Sequence, residues 1–111
     1  MSTGYVIRPR ADRDLDEIAD YFVQNASLEL GLRFLAEAYD TLSLLATQPE
    51  MGWSCRLQPV EFRSVRVFRV GEPFERVLIF YRPASDRIDI LRVLHGMQDL
   101  EARFRRDGLD G

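Results

Sequence analysis

One histidine, one cysteine and fifteen arginines, with no lysine, are the reactive groups available to this 111-residue chain. The missing lysine excludes Schiff-base chemistry and a lysine base. His95 titrates near neutral pH and would suit a general acid or base. It stands at the end of an apolar run, directly before Gly96, and a lone histidine needs partners to catalyse. Its structural reading, a hydrogen-bonded group capping a strand end, therefore comes first. A Ser-His-Asp set could be assembled from Ser64 or Ser85, His95 and Asp99, but no nucleophile-elbow motif supports it. His95 and Cys55 are not in metal-ligand spacing, and Gly4, Gly31 and Gly52 are isolated rather than part of a phosphate loop. No metal and no cofactor are expected. Arginines 63, 66, 69, 76, 82, 87 and 92 all fall in the C-terminal half. Their forks pair with carboxylates or phosphates at two points. Arg66 and Arg82 sit among apolar neighbours, so their heads either reach the sheet edge or meet carboxylates. Two readings stay open: internal pairing with acids of the helices, or a concave surface that accepts an anion.

The elements that must position these groups follow from periodicity. Tyr5 to Arg8 is a strand closed by Pro9. Ala11, Leu15, Ile18, Ala19, Phe22 and Val23 lie on one stripe of a helix over Arg10 to Gln24. Asp12, Asp16 and Asp20 recur four apart, with Asp14 and Glu17 nearby, and read as a solvated acidic face. Ser27 is the expected N-cap of a second helix carrying Leu28, Leu32, Leu35, Tyr39 and Leu42, which ends at Pro49. The short link between the two makes them an antiparallel hairpin. Gln48 to Val60 reads as a loop, and its Trp53 as an anchor folded onto the hairpin. Arg63 to Val70, Arg76 to Arg82 and Arg87 to His95 are strands of a meander joined by Gly71-Glu72-Pro73 and Pro83-Ala84-Ser85-Asp86. Val77 to Tyr81 is apolar on both faces, so the sheet is covered on both sides there. Met97, Leu100 and Phe104 have helical spacing and predict a short last helix over part of the second face. The class is α+β, in the order β-α-α-β-β-β(-α), with a small, mostly antiparallel sheet packed on the hairpin.

Length and composition bound the rest. A chain of 111 residues fits one domain, residues 1–111 with a core of about 4–106. Its hydrophobic share of 46% and charged share of 30% are those of a packed globular protein. One cysteine cannot form an internal disulfide, and neither a secretory leader nor a run of ~20 apolar residues is visible, so a reducing cytoplasm is expected. The net charge of −3 weighs against unspecific wrapping of nucleic acid.

The wording of these segments resembles the RelE/ParE toxin superfamily of type II toxin–antitoxin systems. Pro9-Arg10-Ala11-x-x-Asp14-Leu15-x-Glu17-Ile18 is similar to the family's first-helix opening. Arg33-Phe34-Leu35 and Leu44 with Pro49-x-x-Gly52 are similar to its second helix and exit. Phe62-Arg63-Ser64, Ile79-Phe80-Tyr81-Arg82 and Ile88-x-Ile90-Leu91-Arg92-Val93-Leu94-His95-Gly96 resemble its strands and closing turn. The resemblance spans Tyr5 to Phe104. RelE-like members cleave mRNA on the ribosome with basic residues and a C-terminal tyrosine or histidine; ParE-like members are linked to inhibition of DNA gyrase and carry no known hydrolytic site. The acidic balance, the absent lysines, the lack of tyrosine beyond Tyr81, and His95-Gly96 followed by Asp99-Leu100 favour the ParE-like branch. Gln98 departs from the arginine usual in that branch. The resemblance thus implies a toxin that arrests growth by binding gyrase rather than by catalysis. It also implies neutralisation by a ParD-like antitoxin in a hetero-oligomer, with binding through Arg63, Arg66, Arg82, Arg92, His95, Asp99 and Phe104. The alternatives it leaves are an mRNA endonuclease using Arg63, Arg82 and His95, and an inactive relic that still binds antitoxin.

Overall fold

The computed structural model describes residues 4–55 and 64–96. Strand β1 (Gly4–Ile7) leads into helix α1 (Pro9–Asn25), which is followed by α2 (Leu28–Thr47). A single 3-10 turn, Pro49–Met51, precedes β2 (Trp53–Ser54), and β3 (Arg66–Arg69), β4 (Val77–Pro83) and β5 (Arg87–His95) complete the sheet. The strand order is β1-β5-β4-β3-β2, with β1 parallel to β5 and every other pair antiparallel. The α+β class, the helical hairpin and the mostly antiparallel sheet agree with the sequence reading.

Local chemistry explains the helices. Pro9 occupies the first turn of α1, where its missing N–H costs nothing. Ser27 caps α2 by accepting a hydrogen bond from the Leu30 N–H at 3.1 Å. The helices approach so closely at Gly31 that a Cβ there would lie 2.5 Å from Val23 Cγ2 and 3.1 Å from the Ala19 carbonyl. Ala11, Leu15 and Ile18 of α1 and Phe34, Ala38, Leu42 and Leu45 of α2 are buried against Val77, Ile79, Tyr81, Ile88, Ile90 and Val93 of the sheet. The opposite sheet face has its own buried cluster of Val65, Val67, Leu78, Phe80, Leu91 and Leu94 with Cys55. Neither α1 nor α2 contributes to that cluster. The expected last helix, with Leu100 and Phe104, lies outside the described residues.

Three expectations need correction. The segment after α2 is not simply a loop: Trp53 and Ser54 pair with Val67 and Arg66 as an edge strand. Trp53 consequently does not fold onto the hairpin as an anchor; it is half exposed, with its ring centroid 6.3 Å from that of Phe68. A pair of residues is too short for alternation to register as a strand. The acidic side of α1 is also not uniformly solvated, because Asp14 is 3% exposed.

Candidate functional site

The burial of Asp14 follows from where β1 stops. Ile7 pairs with Ile90, and the Arg8 N–H makes the last strand-like bond, to the Ile90 carbonyl at 3.0 Å. Beyond that point the chain turns into α1, while β5 runs on to His95. Between β4 and β5 the register shifts so that Tyr81 faces Ile90 but Phe80 faces Arg92, leaving Leu91 as a bulged residue. Asp14, one helical turn beyond Ala11 on α1, supplies what the short strand does not. Its Oδ2 accepts the Val93 N–H at 2.9 Å and the Arg92 Nε–H at 2.8 Å, and its Oδ1 accepts from Arg92 Nη2 at 3.3 Å. Arg10 approaches the same carboxylate at 3.8 Å and Glu17 at 3.8 Å.

Arg92 is therefore not a surface group. It is 1% exposed and committed to Asp14, which corrects its assignment to an antitoxin or target surface. The internal-pairing reading holds for this arginine, and its partner is the helix acid nearest the apolar stripe.

Arg66 has an equally specific task. Its Nε and Nη2 donate to the Gly52 carbonyl at 3.1 and 2.6 Å, and Nη2 also donates to the Glu50 carbonyl at 3.1 Å. Beneath it, the buried Tyr81 hydroxyl donates to the Pro49 carbonyl at 2.7 Å and accepts the Gly52 N–H at 3.0 Å. A Cβ at position 52 would meet that hydroxyl at 2.5 Å and the Val67 carbonyl at 2.7 Å, so only glycine fits the approach. Burial raises the Tyr81 phenol above 10.0 against the lowering effects of the Gly52 N–H and Arg66, so the hydroxyl stays protonated and able to donate. Arg66 and Tyr81 together fasten the 3-10 turn and β2 to the sheet.

Arg82 donates from Nε to Ser64 Oγ at 2.9 Å near the rim of the sheet. His95 lies at the other end of the same ladder: Arg82 pairs with Asp89, whereas His95 pairs with Val77. Five residues of β4 separate these positions, roughly 17 Å at the usual strand rise. The two groups do not converge on one phosphate. His95 instead packs edge-on against Tyr21 and tilted against Phe22, at ring-centroid distances of 5.1 and 5.4 Å. Burial, reinforced by the Arg76 charge, lowers its pKa below 6.5, so the imidazole is neutral at pH 7. Arg63, Asp99 and Phe104 lie outside the described residues. Among the described residues, no group of three His, Cys, Asp or Glu side chains could hold a metal ion.

Two surface depressions flank this framework. One, of about 220 Å³, runs along the end of β5 and is lined by Arg10, Asp14, Glu17, Tyr21, Arg92 and His95. The other, of about 230 Å³, lies between α2 and β3, bounded by Glu37, Asp40, Thr41 and Leu44 on one side and Phe68, Arg69 and Gly71 on the other. Leu44 is 44% exposed, and Trp53 extends the apolar lining past Phe68. The Arg69 guanidinium sits 5.6 Å over the Phe68 ring. Sequence reasoning counted Arg69 among the arginines of an anion-accepting surface and Leu44 in the exit of the second helix, but did not single out Phe68 or bring the three together.

The site is thus a small α+β domain's sheet with a buried Asp14–Arg92 pair at one end and a groove beside α2. Residues 5–100 match the family described as ParE toxin of type II toxin-antitoxin system, parDE. The chain is 32% identical over 99 residues to Toxin ParE1 of Caulobacter vibrioides, covering 89% of this chain and 93% of that protein. It is 27% identical over 103 residues to Toxin ParE1 of Mycobacterium tuberculosis, covering 91% and 97%. A solved structure titled Chromosomal ParDE TA system from P. aeruginosa superposes with a TM-score of 0.69 at 22% identity, over 86% of this chain and 98% of that one. The chain belongs to the ParE toxin family of type II toxin–antitoxin systems.

Proposed function

We propose that this ParE-family toxin acts by binding, with DNA gyrase as its target, and that a ParD-like antitoxin neutralises it. The observation that carries the antitoxin half is the groove between α2 and β3, where Leu44, Phe68 and Trp53 present apolar surface beside Arg69. An amphipathic segment would lay its apolar residues on these three, with an acidic side chain on Arg69 and a basic one facing Glu37 and Asp40. Arg66, two residues before Phe68 on β3, borders that surface; by alternation Arg82 falls on the Phe80 side of the sheet, away from the groove, and Arg92 does not take part.

Inhibition by binding needs only different affinities for two states of a large target. It is supported by the separation of Arg82 from His95, which keeps these two groups of the endonuclease reading from acting on one phosphate. Purified toxin is expected to block supercoiling by gyrase, and a ParD-like antitoxin to restore it. Normal supercoiling in excess toxin, combined with codon-phased mRNA cuts on ribosomes that disappear in His95→Ala, would replace this reading with the endonuclease one. For the groove, Leu44→Asp is expected to weaken antitoxin binding at least about tenfold, the effect of losing ~1.4 kcal/mol.

A further inference from the structure

The outer side of the helical hairpin carries an exposed apolar stripe, separate from the groove beside β3. Leu28 and Leu32 are 64% and 58% exposed, and Tyr39 is 38% exposed. At 3.6 residues per turn they form one stripe along α2, with half-buried Leu35 between them. The close approach of Gly31 to Val23 and Ala19 turns this stripe towards α1. Asp12 and Asp16 face it from α1, and Asp20 continues the row at the rim. Burial first, then the charges of Asp12, Tyr5 and Asp16, raise the Tyr39 phenol above 10.0, which places these acids within electrostatic reach of the stripe. Arg10 and Arg33 fall on other stripes of their helices; Arg13, three residues before Asp16, is the one cation beside the row among the described residues and is outnumbered by Asp12, Asp16 and Asp20. The surface is therefore apolar along one side and anionic along the other.

We propose that this face binds a basic amphipathic helix of a partner protein. Its leucines would pack on Leu28, Leu32 and Tyr39 while its arginines or lysines meet Asp12 and Asp16. Charge selects this occupant over the others. A second copy of the chain would present the same face, with no basic row to meet Asp12 and Asp16, and nucleic acid or an anionic membrane would be repelled. The surface faces away from the groove between α2 and β3, so both can be filled together. The inference stands whether or not that groove takes an antitoxin.

The test uses the full chain and two synthetic helical peptides, each with leucines at i, i+4 and i+7, one flanked by arginines and its twin by glutamates. Binding is followed by fluorescence anisotropy at physiological salt. The basic peptide is expected to bind and the acidic twin not to. Leu28→Ser with Leu32→Ser should weaken binding about tenfold or more, as should Asp12→Asn with Asp16→Asn. Circular dichroism confirms that these exposed changes leave the fold intact, and Asp86→Asn, in the β4–β5 turn, serves as the control. Equal binding of both peptides overturns the proposal. So does loss on removing the aspartates but none on removing the leucines, which would mark mere electrostatic adsorption.

Discussion

Replacing Asp14 with alanine tests the central geometric claim, that one helix side chain completes a strand that β1 leaves unfinished. The substitution strips Arg92, 1% exposed, of a carboxylate at 2.8 Å and leaves the Val93 N–H without the acceptor it has at 2.9 Å. Removing one partner of a buried ion pair costs about 3–5 kcal/mol, mostly because the remaining charge is stranded. An orphaned buried N–H costs about 1–3 kcal/mol by itself, but the two losses share one cause and do not simply add. The expected destabilisation is therefore about 4 kcal/mol, a large part of the ~5–15 kcal/mol that holds a domain folded. Asp14→Asn separates the contributions: the amide oxygen can still accept from Val93, while the negative charge is gone, so it should cost less. A double change, Asp14→Leu with Arg92→Met, removes both charges and should recover most of the loss in Asp14→Ala, because paired burial of ions is seldom more stable than apolar packing. Urea unfolding of the four purified proteins reads these differences as shifts in midpoint at constant slope. An Asp14→Ala protein within about 1 kcal/mol of the parent would refute the reasoning, since no buried pair of this geometry is so cheap to break.

Three further outcomes follow from the same framework. Tyr81→Phe deletes the hydroxyl between the Pro49 carbonyl and the Gly52 N–H and should cost about 1–3 kcal/mol, with amide exchange rising first around residues 49–54. Gly31→Ala gains helix propensity of ~1 kcal/mol but drives a methyl into Val23 and the Ala19 carbonyl, so a net loss of about 1 kcal/mol is expected, relieved by adding Val23→Ala. His95 has a folded pKa below its unfolded 6.5, so the unfolded chain binds the proton first. Its contribution to stability is full above pH 6.5 and declines as pH falls through that value towards the lower folded pKa. His95→Gln should flatten the slope in that window, measured as thermal midpoint against pH, and an unchanged slope would show the ring to be solvated.

The elements most legible in the sequence were those whose burial is one-sided and long. The stripe from Ala11 to Phe22 and the apolar run from Val77 to Tyr81 each dictate a period, and the structure has α1 and β4 there. Strand β2 was not legible, because Trp53 and Ser54 are both exposed and held by pairing to β3 alone. For the site, the arginines could be read as paired or as free from composition, and only register decides between them. Arg92 falls beside a bulge that no local pattern announces, whereas Asp14 did leave a trace: it sits three residues after Ala11 and four before Ile18, inside the apolar stripe. A carboxylate at such a position needs a buried partner. Tyr81, in a run apolar on both faces, likewise needed an acceptor for its hydroxyl, and Pro49-x-x-Gly52 contained it.

The two buried polar assemblies divide the labour of the fold, which bears on how a small toxin presents binding surfaces. Asp14 and Arg92 join α1 to the free half of β5, at the end of the sheet that carries His95. Tyr81 and Arg66 join the exit of α2 to β3 and β4 at the other end. Asp14 takes a strand N–H that β1 does not reach, Tyr81 and Arg66 satisfy backbone groups of the 3-10 turn, and each pair ties one helix to the strands. A groove so bordered, that lined by Leu44 and Phe68, would keep its width without a partner and so lower the ordering cost of the proposed docking. If this is correct, Tyr81→Phe should weaken antitoxin binding although its hydroxyl is buried beneath the turn and does not line the groove. The loss should appear in the association rate, as expected when the receptive shape must first re-form. An unchanged association rate in a measurably destabilised Tyr81→Phe toxin would show that the groove is shaped by its occupant instead.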